Sequence, residues 1–164
     1  LMAQAESGRL EIDLAPMELD TLLLDVFQQA KILSGGKKTL RIDEIDQVVV
    51  MGDRDRLRQV LLNLISNAVK FTDADGKIIL RLWIEKDEVR LSVEDNGQGI
   101  HPDEVQHIFE RFYRVEPARD RRSGGSGLGL AIARSLVEAQ SGTIRAESEA
   151  GVGTRITFEL PTPG

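Results

Sequence analysis

Two runs of alternating apolar residues stand back to back in this chain. Ile78, Leu80, Leu82 and Ile84 form one, Val89, Leu91 and Val93 the other, and Lys86-Asp87-Glu88 joins them. Strand side chains alternate between faces, so the pair predicts a hairpin with one apolar face that other elements must cover. The flanking sequence supplies that cover with a different period. Leu57, Val60, Leu61, Leu64, Ile65 and Ala68 recur at helical spacing behind Asp53, a residue suited to cap a helix start, and this helix should end near Phe71. Leu19, Leu22, Leu23, Val26, Phe27 and Ala30 repeat in the same way up to Gly35-Gly36. Further helices are predicted over 103–111 and 128–140. Strands are predicted near 39–43 and 48–51, and a last hairpin from Thr143 to Ser148 and Thr154 to Leu160 around Gly151-Val152-Gly153. Leu10, Ile12 and Leu14 alternate as in one more strand. The order is mixed α/β, with no internal repeat.

Several functional classes are excluded before any motif is weighed. The 164 residues suit one domain with a sizeable core. There is no cysteine, and only His101 and His107 offer imidazole, which argues against a zinc enzyme. No apolar run is long enough to cross a bilayer, so a soluble, cytoplasmic piece is expected. A formal net charge of -6 argues against general affinity for nucleic acid. Leu1 to Ser7 reads as the last turns of a helix stopped by Gly8. With Leu rather than Met first, a piece of a longer chain is expected, with 1–8 closing an upstream helix and 9–164 forming the domain.

Three patches carry chemistry. Asn63, Asn67 and Lys70 lie at i, i+4 and i+7 and share a helix face beside the apolar stripe. A carboxamide oxygen suits Mg²⁺, and an ammonium one turn later reaches phosphate; a plain solvated face is the ordinary alternative. Asp95 has the parity of Val89, Leu91 and Val93, so its carboxylate should point to the buried side of the sheet, where it needs a donor. An exocyclic adenine amine would be one, and Gly97 and Gly99 would let backbone approach a flat base. Asp95-Asn96-Gly97 is equally a common turn. The third patch, Gly124-Gly125-Ser126-Gly127-Leu128-Gly129-Leu130, opens into a helix whose free amides attract anions. It fits neither the P-loop nor the dinucleotide fingerprint.

Taken in order, these patches resemble the catalytic and ATP-binding (HATPase) domain of bacterial two-component sensor histidine kinases, within the GHKL group that includes type II topoisomerases, Hsp90 and MutL. Asn63 to Phe71 resembles the N box, Asp95 to Ile100 the first glycine box, Ile108 to Arg114 the F box, and Gly124 to Leu130 the second glycine box. The resemblance implies a two-layer α/β (α+β) sandwich, its mixed and mostly antiparallel sheet covered on one face by three helices. It implies ATP and Mg²⁺ as cofactors. By position, Asp95 would bind the adenine amine, with Gly97, Gly99 and Ile100 beside it, and Asn67 would hold Mg²⁺. Lys70 and Arg114 would contact phosphates with Tyr113 nearby, and Gly125, Ser126, Gly127, Leu128, Gly129 and Leu130 would wrap them. Phe71 stands where relatives often carry Tyr. Phe109 and Phe112 would pack the base of a lid. Residues 113–126, locally basic through Arg114, Arg119, Arg121 and Arg122, are expected to be that lid.

The hydrolysing relatives carry a Glu general base at the position of Asn63, and an amide cannot take up that proton. The resemblance therefore implies transfer of the γ-phosphoryl group to a histidine, with Asn63, Lys70 and Arg114 as the catalytic set. Neither His101, followed by Pro102, nor His107, followed by Ile108, fits the acceptor pattern. The acceptor would sit on an upstream dimerisation domain. A response regulator receiver domain would be the next partner, in a homodimeric parent whose isolated fragment is monomeric. A nucleotide-binding regulatory module without transfer activity, or a serine kinase of the anti-sigma type, are the alternatives.

Overall fold

The structure, a computed structural model, describes residues 11–35, 38–113 and 129–163. The elements run β1 (Ala15–Glu18), α1 (Leu19–Leu33), β2 (Thr39–Ile45), β3 (Val49–Gly52), α2 (Arg54–Phe71), β4 (Lys77–Glu85) and β5 (Glu88–Asp95). There follow α3 (Pro102–Val105), α4 (Gly129–Glu138), β6 (Thr143–Glu149) and β7 (Gly153–Pro161). Five strands form one sheet in the order β2-β4-β5-β7-β6, while β1 and β3 pair separately. Only β2 and β4 run parallel; the other pairings of the large sheet are antiparallel.

The alternation in β4, β5 and β7 places Ile78, Leu80, Leu82, Val89, Leu91, Val93, Ile156, Phe158 and Leu160 on one face. They join the apolar stripes of α1, α2 and α4 in a single core. The opposite face carries ion pairs instead. Arg81 meets Glu94 at 3.0 Å, Arg155 meets Glu147 at 3.0 Å, and Arg145 pairs with Glu159. A sheet with one apolar and one charged face needs only one layer of helices, as observed.

The ends of the helices are tied by polar groups. Asp53 caps α2 by accepting from the Arg56 amide at 3.2 Å, and its own amide donates to Gln140 Oε1 at 2.7 Å. Gln140 is buried just beyond α4 and donates from Nε2 to the Leu136 carbonyl, so one carboxamide joins the start of α2 to the end of α4.

Two local expectations need correction. Residues 11–14 form no strand. Among the described residues the first ladder begins at Ala15, against β3, and Asp13 instead donates its amide to Asp53 Oδ2 at 2.9 Å, drawn to the α2 cap. The helix predicted over 103–111 stops at Val105. Beyond it the His107 and Glu110 amides reach back three residues, to Glu104 and His107, and Phe112 takes a left-handed φ of 65°. The upstream helix end at 1–8 and all of the predicted lid except Tyr113 lie outside the described residues.

Candidate functional site

The site begins where β5 runs out. Asp95 shares the inward parity of the β5 core residues and is buried, in a row Ile78, Asp95, Thr154, Ser148 that crosses four strands on the helix-covered face. Its Oδ1 accepts from the Gly97 amide at 2.9 Å. Burial pushes this carboxyl above the ordinary aspartate range, and the Gly97 and Thr154 backbone N–H groups oppose that shift.

The loop after Asp95 is held from two sides. Against β4, Asn96 Oδ1 accepts from the Lys77 amide at 2.7 Å. Against the β6–β7 hairpin, the Gly151 amide donates to the Gln98 carbonyl at 2.7 Å and the Ile100 amide to Ser148 Oγ at 2.7 Å. Gly97 has no room for a side chain, since a Cβ there would stand 2.2 Å from the Phe71 carbonyl oxygen. Gly99, at φ +74°, is equally confined, 2.1 Å from the Glu149 carbonyl. The loop is thus wedged between the C-terminus of α2 and the last hairpin.

Asn63, Asn67 and Lys70 line one half-buried face of α2. Asn63 Nδ2 donates to the Gly129 carbonyl at 3.0 Å, which draws the first turn of α4 onto that face. Lys70 Nζ lies 5.5 Å from the centroid of the Phe71 ring, a cation-π contact, while the Phe71 carbonyl abuts Gly97. Phe71 therefore links two groups of expected site residues: Asp95, Gly97, Gly99 and Ile100 beside its carbonyl, and the amide-rich, cationic set of Asn63, Asn67, Lys70, Gly129 and Leu130. Arg114, Gly125, Ser126, Gly127 and Leu128 lie outside the described residues.

Residues 52–164, which hold both groups, match the family described as histidine kinase-, DNA gyrase B- and HSP90-like ATPase. The chain belongs to that family. It is 40% identical over 163 residues to the signal transduction histidine-protein kinase BaeS of Escherichia coli, covering 98% of this chain and 34% of the relative. Over 111 residues it is 47% identical to the sensor histidine kinase WalK of Bacillus subtilis, covering 66% of this chain and 18% of the relative. The chain thus spans about a third or less of these relatives. Among solved structures, full-length ShkA in complex with AMPPNP superposes with a TM-score of 0.81 at 33% identity, covering 99% of this chain and 34% of that one. The mycobacterial sensor histidine kinase MprB superposes at 0.79 with 26% identity, covering 90% of this chain and 98% of that one.

In this ATPase-family domain the described part of the F box folds back on the residues just before it. The Tyr113 hydroxyl donates to Glu104 Oε1 at 2.9 Å, and its ring stacks on His107 at 5.4 Å. Desolvation, and then the bond to Glu104, raise the Tyr113 phenol. Phe109 packs against the core, while Phe112, at a left-handed φ of 65°, is 67% exposed; the lid whose base both were expected to pack lies, apart from Tyr113, outside the described residues. His101 caps α3 through Nδ1, which accepts from the Asp103 amide at 3.2 Å, and His107 lies 2.7 Å from Glu110, so both have structural partners.

The sequence reading missed Thr154 and Ser148. Both are polar residues at inward parity, Thr154 ahead of Ile156, Phe158 and Leu160, and Ser148 after Ile144 and Ala146. That misplaced polarity is the same signal that marked Asp95. A cavity of about 490 Å³ meets this row from the hairpin side and is lined by Asp95, Asn96, Ser148, Val152 and Thr154 among others. The α2 residues do not line it.

Proposed function

We propose that this domain binds Mg·ATP and transfers its γ-phosphoryl group to a histidine on a dimerisation domain outside this chain, as the first step of two-component signalling. The observation that carries the reading is the bond from Asn63 to the Gly129 carbonyl. It joins the amide-bearing face of α2 to the start of α4, and by the resemblance Asn63 would stand where the hydrolysing relatives carry a carboxylate. Asp95 would accept from the adenine amine. Gly97 and Gly99, packed to backbone contact, would flank the base.

The donor set suits Mg²⁺. Among the described residues no group of three or more His, Asp or Glu side chains gathers to hold a metal. Mg²⁺ commonly takes only one or two protein oxygens, completed by substrate phosphates and water, and the Asn67 carboxamide oxygen would be such a hard ligand. When bound, the ion would neutralise charge on the phosphate oxygens. Lys70 adds a second cation, and Arg114 is proposed as a third. The chain's own contribution is position and charge: the acceptor imidazole nitrogen bonds to the γ-phosphorus as the bond to the bridging oxygen breaks, and ADP leaves with that electron pair. The receiver domain of a response regulator would then take the phosphoryl group. No described helix is long and apolar enough to cross a membrane, which suits catalysis in the ATP-containing cytoplasm.

The test is to supply a histidine-bearing dimerisation domain in trans, with Mg²⁺ and γ-labelled ATP. Acid-labile, base-stable label on the acceptor is the expected result. Nucleotide binding without any phospho-imidazole would refute transfer and leave the regulatory-module reading.

A further inference from the structure

The last turn of α2 is anchored by side chains. Its final four carbonyl groups run from Ala68 to Phe71, and the chain leaves the helix at Thr72, whose backbone is extended. The buried Thr72 hydroxyl donates to the Ala68 carbonyl at 2.6 Å. The Lys38 ammonium, from 31 residues upstream, donates to the Val69 carbonyl. Lys38 is itself placed by the residue after it. The Thr39 amide donates to the Gly76 carbonyl at 3.0 Å, and Thr39 pairs with Lys77 where β2 joins the sheet beside β4. The start of β2 thus holds the end of α2 and the turn behind it from one side. Asn96 and Gly97 hold them from the other, through the Lys77 amide and the Phe71 carbonyl.

The oxygen that Lys38 takes has a particular neighbour. The Val69 carbonyl and the Lys70 N–H belong to one planar peptide unit, so fixing that oxygen fixes the plane from which the Lys70 side chain leaves the backbone. A cation is also favoured there by the negative end of the helix dipole. Lysine is a point charge on a flexible stem, and a charge meant for a phosphate gains from a defined approach.

We propose that Lys38 is a positioning residue for phosphate binding: by holding the Val69 carbonyl it sets the direction in which Lys70 reaches the nucleotide phosphates. The inference rests on the nucleotide-binding reading above and goes beyond it, since Lys38 lies ahead of β2, outside the patches that carry the resemblance, and acts through the backbone of α2. A purely structural tie would loosen the whole end of the helix when lost, disturbing Phe71 and Gly97 whether or not Lys70 were present. A tie that works through Lys70 has nothing left to act on once that ammonium is gone.

The experiment is a double-mutant cycle on the whole chain, with Lys38→Met, Lys70→Met and both together, read by calorimetric titration with ADP and Mg²⁺ and by thermal unfolding. Wild type should bind ADP and Lys70→Met should bind it more weakly. Lys38→Met should weaken binding about threefold or more when Lys70 is present, and change it by less than about twofold when Lys70 is already Met. The melting temperature should fall alike in both backgrounds, because each loses the same helix cap. Equal losses of affinity in the two backgrounds, or wild-type affinity in Lys38→Met, overturn the role of Lys38 while leaving nucleotide binding intact. Lys70→Met that binds as tightly as wild type overturns the proposal together with the phosphate role of Lys70. Wild type that binds no ADP overturns the nucleotide reading itself. Should Lys38→Met fail to fold, Lys38→Gln, which gives up the cation and keeps a polar side chain, takes its place in the cycle with the same expected and overturning results.

Discussion

Gly97→Ala tests whether the base end of the cleft is built by close packing of backbone on backbone. The added Cβ would stand 2.2 Å from the Phe71 carbonyl oxygen and 3.1 Å from its carbonyl carbon, where ordinary contact begins at 3.4 Å. The obstacle is backbone at the end of an eighteen-residue helix and cannot swing aside, so the loop must move by about 1 Å. Overpacking of this kind costs about 1–3 kcal/mol. At about 2–4 °C per kcal/mol for a chain of this size, the melting temperature should fall by about 2–12 °C. The same movement breaks the Gly97 N–H bond to Asp95 at 2.9 Å. A hydrogen bond to a charged group contributes about 1.5–3 kcal/mol, so ADP should bind about 10- to 150-fold more weakly. Differential scanning fluorimetry and calorimetric titration read both effects. Gly129→Ala is the stability control, since its Cβ would meet nothing within 4 Å and α4 would gain a better helix former. A Gly97→Ala domain that melts with wild type and binds ADP equally well would refute the packing argument.

Three further outcomes are expected. Asn67→Ala should leave the fold intact and weaken Mg²⁺-dependent ATP binding, by about tenfold for a lost ligand, with little effect on nucleotide binding in EDTA; equal losses with and without the metal would remove Asn67 as a ligand. Gln140→Ala should strip the buried Asp53 amide of its acceptor at 2.7 Å, costing about 1–3 kcal/mol in thermal or denaturant unfolding, and an unchanged midpoint would show that the tie between α2 and α4 is idle. Carboxyl NMR of the nucleotide-free domain should find Asp95 titrating above the ordinary 3.8 because burial disfavours its charge. A folded pKa above the unfolded one means that Asp95 contributes stability below the unfolded value and that this contribution is lost as pH rises through the folded value. Bound ADP, by donating to the carboxylate, should move the titration back down.

Parity and period carried the placement of Asp95 and of the polar face of α2 in advance. Asp95 reads as inward because it continues the alternation of Val89, Leu91 and Val93, and the spacing of Asn63, Asn67 and Lys70 puts them on one face, as found. What local pattern does not encode is register between distant strands. Thr154 and Ser148 meet Asp95 only because β5 pairs with β7 and β7 with β6, and Gln140 reaches Asp53 across 87 residues. Residues 11–14 misled for a different reason, since a polar cap at Asp53 took the Asp13 amide that a strand would have used.

The central claim is that the cleft between α2 and the Asp95 loop holds ATP, with the Asp95 carboxylate as the acceptor of the adenine amine. Calorimetric titration of the chain with a non-hydrolysable ATP analogue and Mg²⁺, for wild type and Asp95→Asn, tests it most directly. Wild type should bind at one site. Asp95→Asn should weaken binding by about 5- to 150-fold, the cost of about 1–3 kcal/mol for a mispaired buried group, while its circular dichroism spectrum stays native. No binding by wild type, or equal affinity in both proteins, would contradict the account.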